Sequence, residues 1–413
     1  MGFLSSLFGS SDPQSVLGVD IGSSSIKIVQ LKRQGSRALL ETYGELSLGP
    51  YAKTEIGRAT NLPPEEIAHA LKDVMRECKV TAKTCALAIP FSASLISVIE
   101  IPEVSEKELD TIVPIEARKY IPVPIAEVSL DWFVIPKPKE ERNNPKPSTV
   151  KENSTIGPGV PSSFPSAVAG AATGGNSAAY PGNFGGPSAP AAVAASNRGK
   201  LDVLTVAIHN DTISKYNNIL KQADLTAAFF EIEIFSAIRA LVDNDPAPVM
   251  ILDMGAASTK LYIVERGIIR NSHTINKGSQ DITLAMSSAL GVTIEEAELI
   301  KRGMVAPRVG QEGVMSQVIQ STLSYIFMEA QRVMLSYQKK YMKNLSRVYL
   351  VGGGVKLRGF LEDARKGLQI DVIPGDPFTK IQTPAFLENV LKVTGPEFTV
   401  AVGVALRRLQ ELN

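Results

Sequence analysis

Two stretches decide the reading of this chain: Gly18-Val19-Asp20-Ile21-Gly22-Ser23-Ser24-Ser25-Ile26-Lys27 and Leu252-Asp253-Met254-Gly255-Ala256-Ala257-Ser258-Thr259-Lys260. Each runs from an apolar strand through Asp-x-Gly into small residues and out along a second strand. Glycine carries no side chain and accepts positive φ, so backbone N–H groups there can approach phosphate oxygens, and small hydroxyl residues add donors. The aspartate ahead of the turn offers a hard oxygen suited to magnesium through its waters. Lys27 offers a point charge to terminal phosphates. One such hairpin, read alone, is equally an ordinary turn. Two of them, in opposite halves of the chain, point to duplicated lobes gripping a nucleotide from both sides.

A third glycine turn, Val351-Gly352-Gly353-Gly354-Val355-Lys356-Leu357, ends a buried strand and could pass beneath a nucleoside; by itself it reads equally as a tight strand-to-helix turn. Working outward, Val16–Leu31 reads as a hairpin, Pro64 opens a helix over Ile67, Ala70, Leu71 and Val74, and Cys85–Pro90 is a strand. A compact unit follows from Leu95: strand, a helix opened by the Ser105/Glu108 capping box, and strand Val128–Ile135. Residues 153–197 carry no charge and consist mainly of Gly, Ala, Pro, Ser and Asn, so 137–200 is expected to be a flexible loop inside that unit. Strand Val203–Ile208, helix Asp211–Ala223, strand Ala227–Ile232 and a helix through Leu241 close the first half. The second half repeats strand, turn, strand over Val249–Val264. A helical region Asp281–Lys301, a long helix Gly313–Lys340, strand Val348–Val351, helix Phe360–Gly367 and a final helix Thr399–Leu412 complete it.

The composition suits a soluble globular protein of at least two lobes: 413 residues, 44% apolar, formal net charge +1. So even a balance argues against a nucleic-acid surface. Cys78 and Cys85 match no metal or redox spacing, which fits a reducing cytosol. Met1–Ser10 has no basic region and is expected to be a tail rather than a secretory signal. The apolar stretch Cys85–Ile99 is broken by Pro90 and too short to span a bilayer. His69, His209 and His273 are scattered and suggest no histidine chemistry.

The motifs resemble the actin, Hsp70 and sugar-kinase superfamily, whose two phosphate motifs and adenosine motif occur in this order. The resemblance covers nearly the whole chain outside the loop. It implies an α/β fold of two actin-like lobes, duplicated ribonuclease-H-like domains, binding ATP and Mg2+. By this likeness Asp20 and Asp253 lie near magnesium, Gly22, Ser23, Ser24, Ser25, Gly255, Ala256, Ala257, Ser258 and Thr259 around the phosphates, and Lys27 on the terminal phosphates. Gly352, Gly353, Gly354, Val355 and Leu357 come near the nucleoside. Glu298 and Lys301 resemble the adenosine-contacting Glu-x-x-Lys, although alone they read as an exposed i,i+3 pair. Lys277-Gly278-Ser279 stands where paired glycines are common. Glu231-Ile-Glu233 and Thr399–Leu406 resemble the hinge helices; Glu233 falls where the superfamily positions attacking water, or is a helix-start carboxylate. Catalysis, if any, would rest on Glu233 and Asp253.

Within the superfamily the unit 95–224 resembles the 1C subdomain of the FtsA branch. The likeness narrows to the PilM family of type IV pilus assembly proteins through Ile99–Glu108, Pro114–Pro124, Asp131-Trp132 and Phe3–Gly9. It implies subdomain 1A over 14–94, 225–247 and 385–413, 2A over 248–270 and 315–384, and a smaller 2B over 271–314, behind an N-terminal tail 1–13. It implies a cytoplasmic component of the pilus, or the related type II secretion, platform, serving twitching motility. Such a component sits at the inner face of the inner membrane by capturing the N-terminal tail of a PilN-like protein. Tyr120, Ile121, Pro122 and Val123 would form an apolar rim for that peptide, with Ile121 alternatively closing the subdomain core. Other platform proteins and self-association belong to the same expectation. An FtsA-like division tether would be expected to end in an amphipathic helix, whereas Arg407–Asn413 finishes on the core helix. A kinase would need a first-lobe catalytic aspartate constellation that is not evident, and a generic nucleotide switch stays open. ATP binding needs only the cradle; any hydrolysis is expected to be slow.

Overall fold

A computed structural model describes residues 15–136, 200–243 and 246–412. The expected tail 1–13 and the loop over 137–199 lie outside the described residues. The first half runs β1 (Ser15–Ile21), β2 (Ser25–Gln34), β3 (Arg37–Ser47), α1 (Pro64–Glu77), β4 (Thr84–Ile89), β5 (Ser94–Pro102), α2 (Glu106–Ala117), β6 (Val128–Val134), β7 (Lys200–His209), α3 (Asn210–Gln222), β8 (Thr226–Ile232) and α4 (Glu233–Leu241). The second half runs β9 (Val249–Met254), β10 (Thr259–Glu265), β11 (Ile268–Ile275), α5 (Ser279–Leu290), α6 (Ile294–Lys301), α7 (Glu312–Tyr341), β12 (Arg347–Val351), α8 (Phe360–Leu368), β13 (Asp371–Pro374) and α9 (Glu388–Glu411).

The two halves build the same sheet twice. Lobe one has the order β3-β2-β1-β4-β8 and lobe two β11-β10-β9-β12-β13. In each, the central strand pairs antiparallel with the next strand and parallel with a later one reached through helices. The central strands are apolar almost continuously, Val16, Leu17, Val19 and Ile21 in one and Val249 to Leu252 in the other, because both faces are covered. On one face of lobe one lies α1. Pro64 suits its first turn, where no N–H is required, Glu65 and Glu66 favour its positive end, and Ile67, Ala70, Leu71 and Val74 form its buried stripe. Truncating a fully buried stripe residue such as Leu71 costs about 2–5 kcal/mol.

The small subdomain is an antiparallel sheet, β5-β7-β6, with α2 packing Leu109, Val113 and Ala117 on Ile99, Ile101 and Val203. Its helix opens on the Ser105/Glu108 capping box. Within the unit expected over 95–224, Ile213, Tyr216, Ile219 and Leu220 of α3 share a core with Leu71 and Val74 of α1.

Other differences have local causes. The helical region 281–301 is two helices, broken at Gly291 in the left-handed conformation (φ 64°) and restarted by Thr293, whose hydroxyl accepts from the Glu296 N–H. The last helix begins at Glu388 rather than Thr399. Gly395-Pro396 reads as a boundary, yet Leu391 and Phe398 pack into one core and carry the helix through. The carbonyl of Pro396 accepts from Gly352 N–H of lobe two at 3.0 Å. Glu231 lies in β8, as the strand read over Ala227–Ile232 has it, so the hinge helix that the resemblance opened at Glu231 starts at Glu233.

Two helices join the lobes along one seam. A Cβ at Gly403 of α9 would lie 1.9 Å from the Ser236 carbonyl oxygen of α4, and one at Gly18 of β1 would lie 2.1 Å from that of Ala401, so glycine is needed at both crossings. Fully buried Glu231 binds Arg239 of α4 through 2.6 and 2.7 Å contacts and Arg407 of α9 through one of 2.9 Å.

Candidate functional site

The two quoted turns face each other across a cleft holding a cavity of 390 Å³. They are the same turn built twice. Gly22 N–H donates to the Ser25 carbonyl at 3.0 Å, and Gly255 N–H to the Ser258 carbonyl at 3.0 Å. A Cβ at either glycine would lie 3.2 Å from that carbonyl oxygen. The third turn supplies the floor. Gly352 has φ 87°, and a Cβ there would meet Asp253 Oδ1 at 2.4 Å, so no side chain fits between this turn and the β9 aspartate.

The cleft is charged on every side. Asp20 and Asp253 stand at equivalent positions, each the cross-strand partner of a lysine, Lys27 and Lys260. Burial, with Glu233 and Asp253 adding to it against Lys27 and Lys260, pushes the Asp20 carboxyl up to about 6. Burial likewise raises Asp253, against the pull of Lys260. Lys27 Nζ donates to Ser25 Oγ at 2.7 Å and lies 3.3 Å from Glu45; burial opposes its charge, but Glu45 and Asp20 hold its pKa above the ordinary value. Lys260 donates to Glu233 Oε1 at 2.6 Å and lies 4.0 Å from Asp253. The same Glu233 oxygen accepts the Phe91 N–H at 2.6 Å.

Farther along the cavity, Glu298 and Lys301 are not an exposed pair. They are buried against each other at 2.6 Å, with Thr283 donating to Glu298 at 2.6 Å and Lys301 to the Ser279 carbonyl at 3.2 Å. Burial holds Lys301 below its usual range, while Lys301, Thr283 and Arg302 outweigh burial and hold Glu298 low. A first-lobe strap crosses here. Gly57 (φ 88°) sits where a Cβ would lie 2.6 Å from Glu298, Ala59 N–H donates to Gln280 of α5 at 3.0 Å, and Thr60 N–H donates to the Ser23 carbonyl at 2.8 Å.

Most residues read from the sequence meet at this cavity: Asp20, Gly22 to Ser25 and Lys27 from lobe one, Asp253 and Gly255 to Ser258 from lobe two, Gly352 to Gly354 with Leu357 from the floor, and Glu233, Glu298 and Lys301. Three do not line it. Thr259 is fully buried and donates to the Lys277 carbonyl at 2.8 Å. Gly278 lies behind the second turn, where a Cβ would be 2.3 Å from the Ala256 carbonyl oxygen, and Ser279 and Gln280 N–H groups latch α5 onto that turn. Val355 packs against the lobe-two core. Sequence reasoning missed Lys260, which the repeat of Asp20/Lys27 could have found. It also missed the Lys356–Glu397 pair at 2.8 Å, which joins residues too far apart in sequence to announce themselves. On the small subdomain, Tyr120 is 54% exposed, Pro122 exposed and Val123 half-buried, while Ile121 belongs to the core.

Comparison with known proteins gives the following. A family model described as "Type IV pilus assembly protein PilM" matches residues 18–148 and 191–409. The chain is similar to a solved PilM–PilN type IV pilus biogenesis complex, with 22% identity, a TM-score of 0.69, and coverage of 95% of this chain and 98% of that one. It is similar at 15% identity and TM-score 0.49 to the ethanolamine utilization protein EutJ from Carboxydothermus hydrogenoformans, covering 95% and 90%. It is similar at 11% identity and TM-score 0.45 to MreB5 of Spiroplasma citri bound to ADP, covering 97% and 98%. The likeness to the first supports the two-lobe actin-like α/β fold.

Proposed function

The chain belongs to the PilM family of type IV pilus assembly proteins, and we propose that it serves there as a nucleotide-gated scaffold. In this reading ATP with magnesium seats between the lobes, and the small subdomain takes the N-terminal cytoplasmic tail of a PilN-like inner-membrane protein. The observation that carries the nucleotide half is the matched pair of turns at Gly22 and Gly255, closed alike and opening on one cavity. A volume of 390 Å³ suits a small-molecule ligand.

With the Gly22 and Gly255 N–H groups closing the turns, the N–H groups of Ser23, Ser24, Ala256 and Ala257 and the hydroxyls of Ser23, Ser24, Ser25 and Ser258 would hold the phosphates, with Lys27 reaching the terminal ones. Gly352 to Gly354 would pass beneath the nucleoside, and Glu298 and Lys301 would face the adenosine. Magnesium, when bound, offsets phosphate charge. Among the described residues no group of three or more His, Cys, Asp or Glu is placed to hold a metal directly. That fits an ion delivered on the nucleotide and met through water by Asp20 and Asp253. Glu233 and Asp253 are the groups that could position water, but the Glu233 oxygen engaged by Lys260 and Phe91 favours retention over turnover.

For the partner, exposed Tyr120 and Pro122 beside Val123 give an apolar, proline-stiffened rim; Ile121 supports it from the core. Among the described residues the outer strands β5 and β6 each have one neighbour in the small sheet, so an extended peptide could pair with an outer edge. The complex to which this chain is similar is one with PilN, which motivates that choice. Docking would hold the protein at the cytoplasmic face of the inner membrane. No helix among the described residues is long and apolar enough to cross a membrane. The test is pull-down with synthetic N-terminal peptides of inner-membrane proteins, with and without MgATP. Capture of a PilN-type tail, altered by nucleotide, is expected; no capture in either state overturns the scaffold reading.

A further inference from the structure

We propose that Lys260 reads the terminal phosphate and that Glu233 relays its state to the small subdomain through the Phe91 amide. This rests on the nucleotide reading of the cleft. The observation behind it is a difference between two otherwise equivalent lysines. Lys27 is held within its own lobe, by Ser25 and Glu45. Lys260, its counterpart on β10, leaves its lobe and binds Glu233 at the start of α4. Its side chain is 18% exposed and lines the cavity beside Asp253. A terminal phosphate carries more negative charge than one carboxylate, so a phosphate arriving between the turns competes with Glu233 for this ammonium.

Glu233 Oε1 serves two donors at once, Lys260 and the Phe91 N–H, each at 2.6 Å. Phe91 opens the short turn Phe91–Ala93 that leads directly into β5, the strand by which the chain enters the small subdomain. The Phe91 ring also meets Tyr262 edge-on at 5.5 Å, and Tyr262 stands two residues beyond Lys260 on β10. One strand of lobe two therefore reaches the small subdomain's entrance by two routes, directly through the Tyr262 ring and indirectly through Lys260 and Glu233. When Lys260 turns to phosphate, Glu233 Oε1 is left with one donor fewer, and its bond to the Phe91 N–H tightens. ATP, which reaches Lys260, and ADP, which does not, thereby acquire different affinities for the two arrangements, which is the condition for a ligand to shift one into the other.

The experiment is hydrogen exchange at the Phe91 amide in the full chain, free and with MgADP or MgATP, alongside nucleotide affinity by calorimetry. In the parent, ATP is expected to slow exchange at Phe91 by about tenfold, equivalent to about 1.4 kcal/mol, with ADP causing little change. Lys260→Met is expected to lose the distinction between ATP and ADP, and Lys260→Arg, which keeps the cation, to retain it if Met at this site fails to fold. Failure of the parent to bind either nucleotide overturns the cleft reading itself. Binding of both with Phe91 exchange unchanged or faster, or an undiminished ATP–ADP difference in Lys260→Met, overturns the relay and leaves the cleft reading intact.

Discussion

Replacing Asp20 by Asn should make the empty protein more stable while abolishing its hold on magnesium nucleotide. The Asp20 carboxyl titrates at about 6 against an ordinary 3.8, chiefly because it is buried. A rise of this sign means that folding favours the protonated acid. Its contribution to stability is fully present below pH 3.8 and is lost as pH climbs through 6. A shift of about two units corresponds to about 3 kcal/mol, reduced to about 1–3 kcal/mol because the side chain keeps partial contact with solvent in the cleft. Asn keeps the shape without the charge. With an unfolding entropy of about 0.9 kcal/mol/K for a chain of this size, the variant's Tm should rise by about 1–3 °C at pH 7.5. Thermal melts at pH 7.5 and pH 4.5, paired with MgATP retention at pH 7.5, check both halves. The gain should shrink toward zero at the lower pH. A variant that is no more stable at pH 7.5, or equally stabilised at both, would show that Asp20 is not a buried charge held for a ligand, and undiminished retention would remove it from the site.

Three further outcomes follow from the same geometry. Glu231→Ala leaves Arg239 and Arg407 buried without their shared carboxylate and should cost about 3–5 kcal/mol in chemical denaturation, whereas a loss near zero would mean the cluster carries no structural charge. Gly403→Ala puts a methyl on the α4 carbonyl and should cost about 1–3 kcal/mol by the same assay; full stability would show that the helices can part freely. Tyr120→Ala removes an exposed ring, so Tm should move by no more than the equivalent of about 0.5 kcal/mol while capture of the PilN-type peptide falls, and unchanged capture would take Tyr120 out of the rim.

What could be read in advance was whatever repeats locally. The hairpins, α1 and the glycine turn announce themselves because their chemistry lies within ten or so residues. The continuous apolar run of β9 and the periodic stripe of α1 named their own elements. The start of α9 was hidden because Pro396 is a local stop signal that distant packing overrides. The partnerships were hidden for the same reason: Glu298 and Lys301 look like a solvated pair until α5 and Gly57 cover them, and nothing near Lys260 in sequence says that its carboxylate is Glu233. Thr259 and Gly278 show the converse error, since residues of the right type beside a motif can support the turn from behind without facing the cavity.

The two lobes share one strand order and meet at one cavity. A nucleotide has a head and a tail, so any preference for one orientation between two such lobes must come from places where they differ. Two stand at the turns themselves: hydroxyls at Ser23 and Ser24 oppose methyl groups at Ala256 and Ala257. Direction along such a site would thus be set by what differs between two sheets built to one plan.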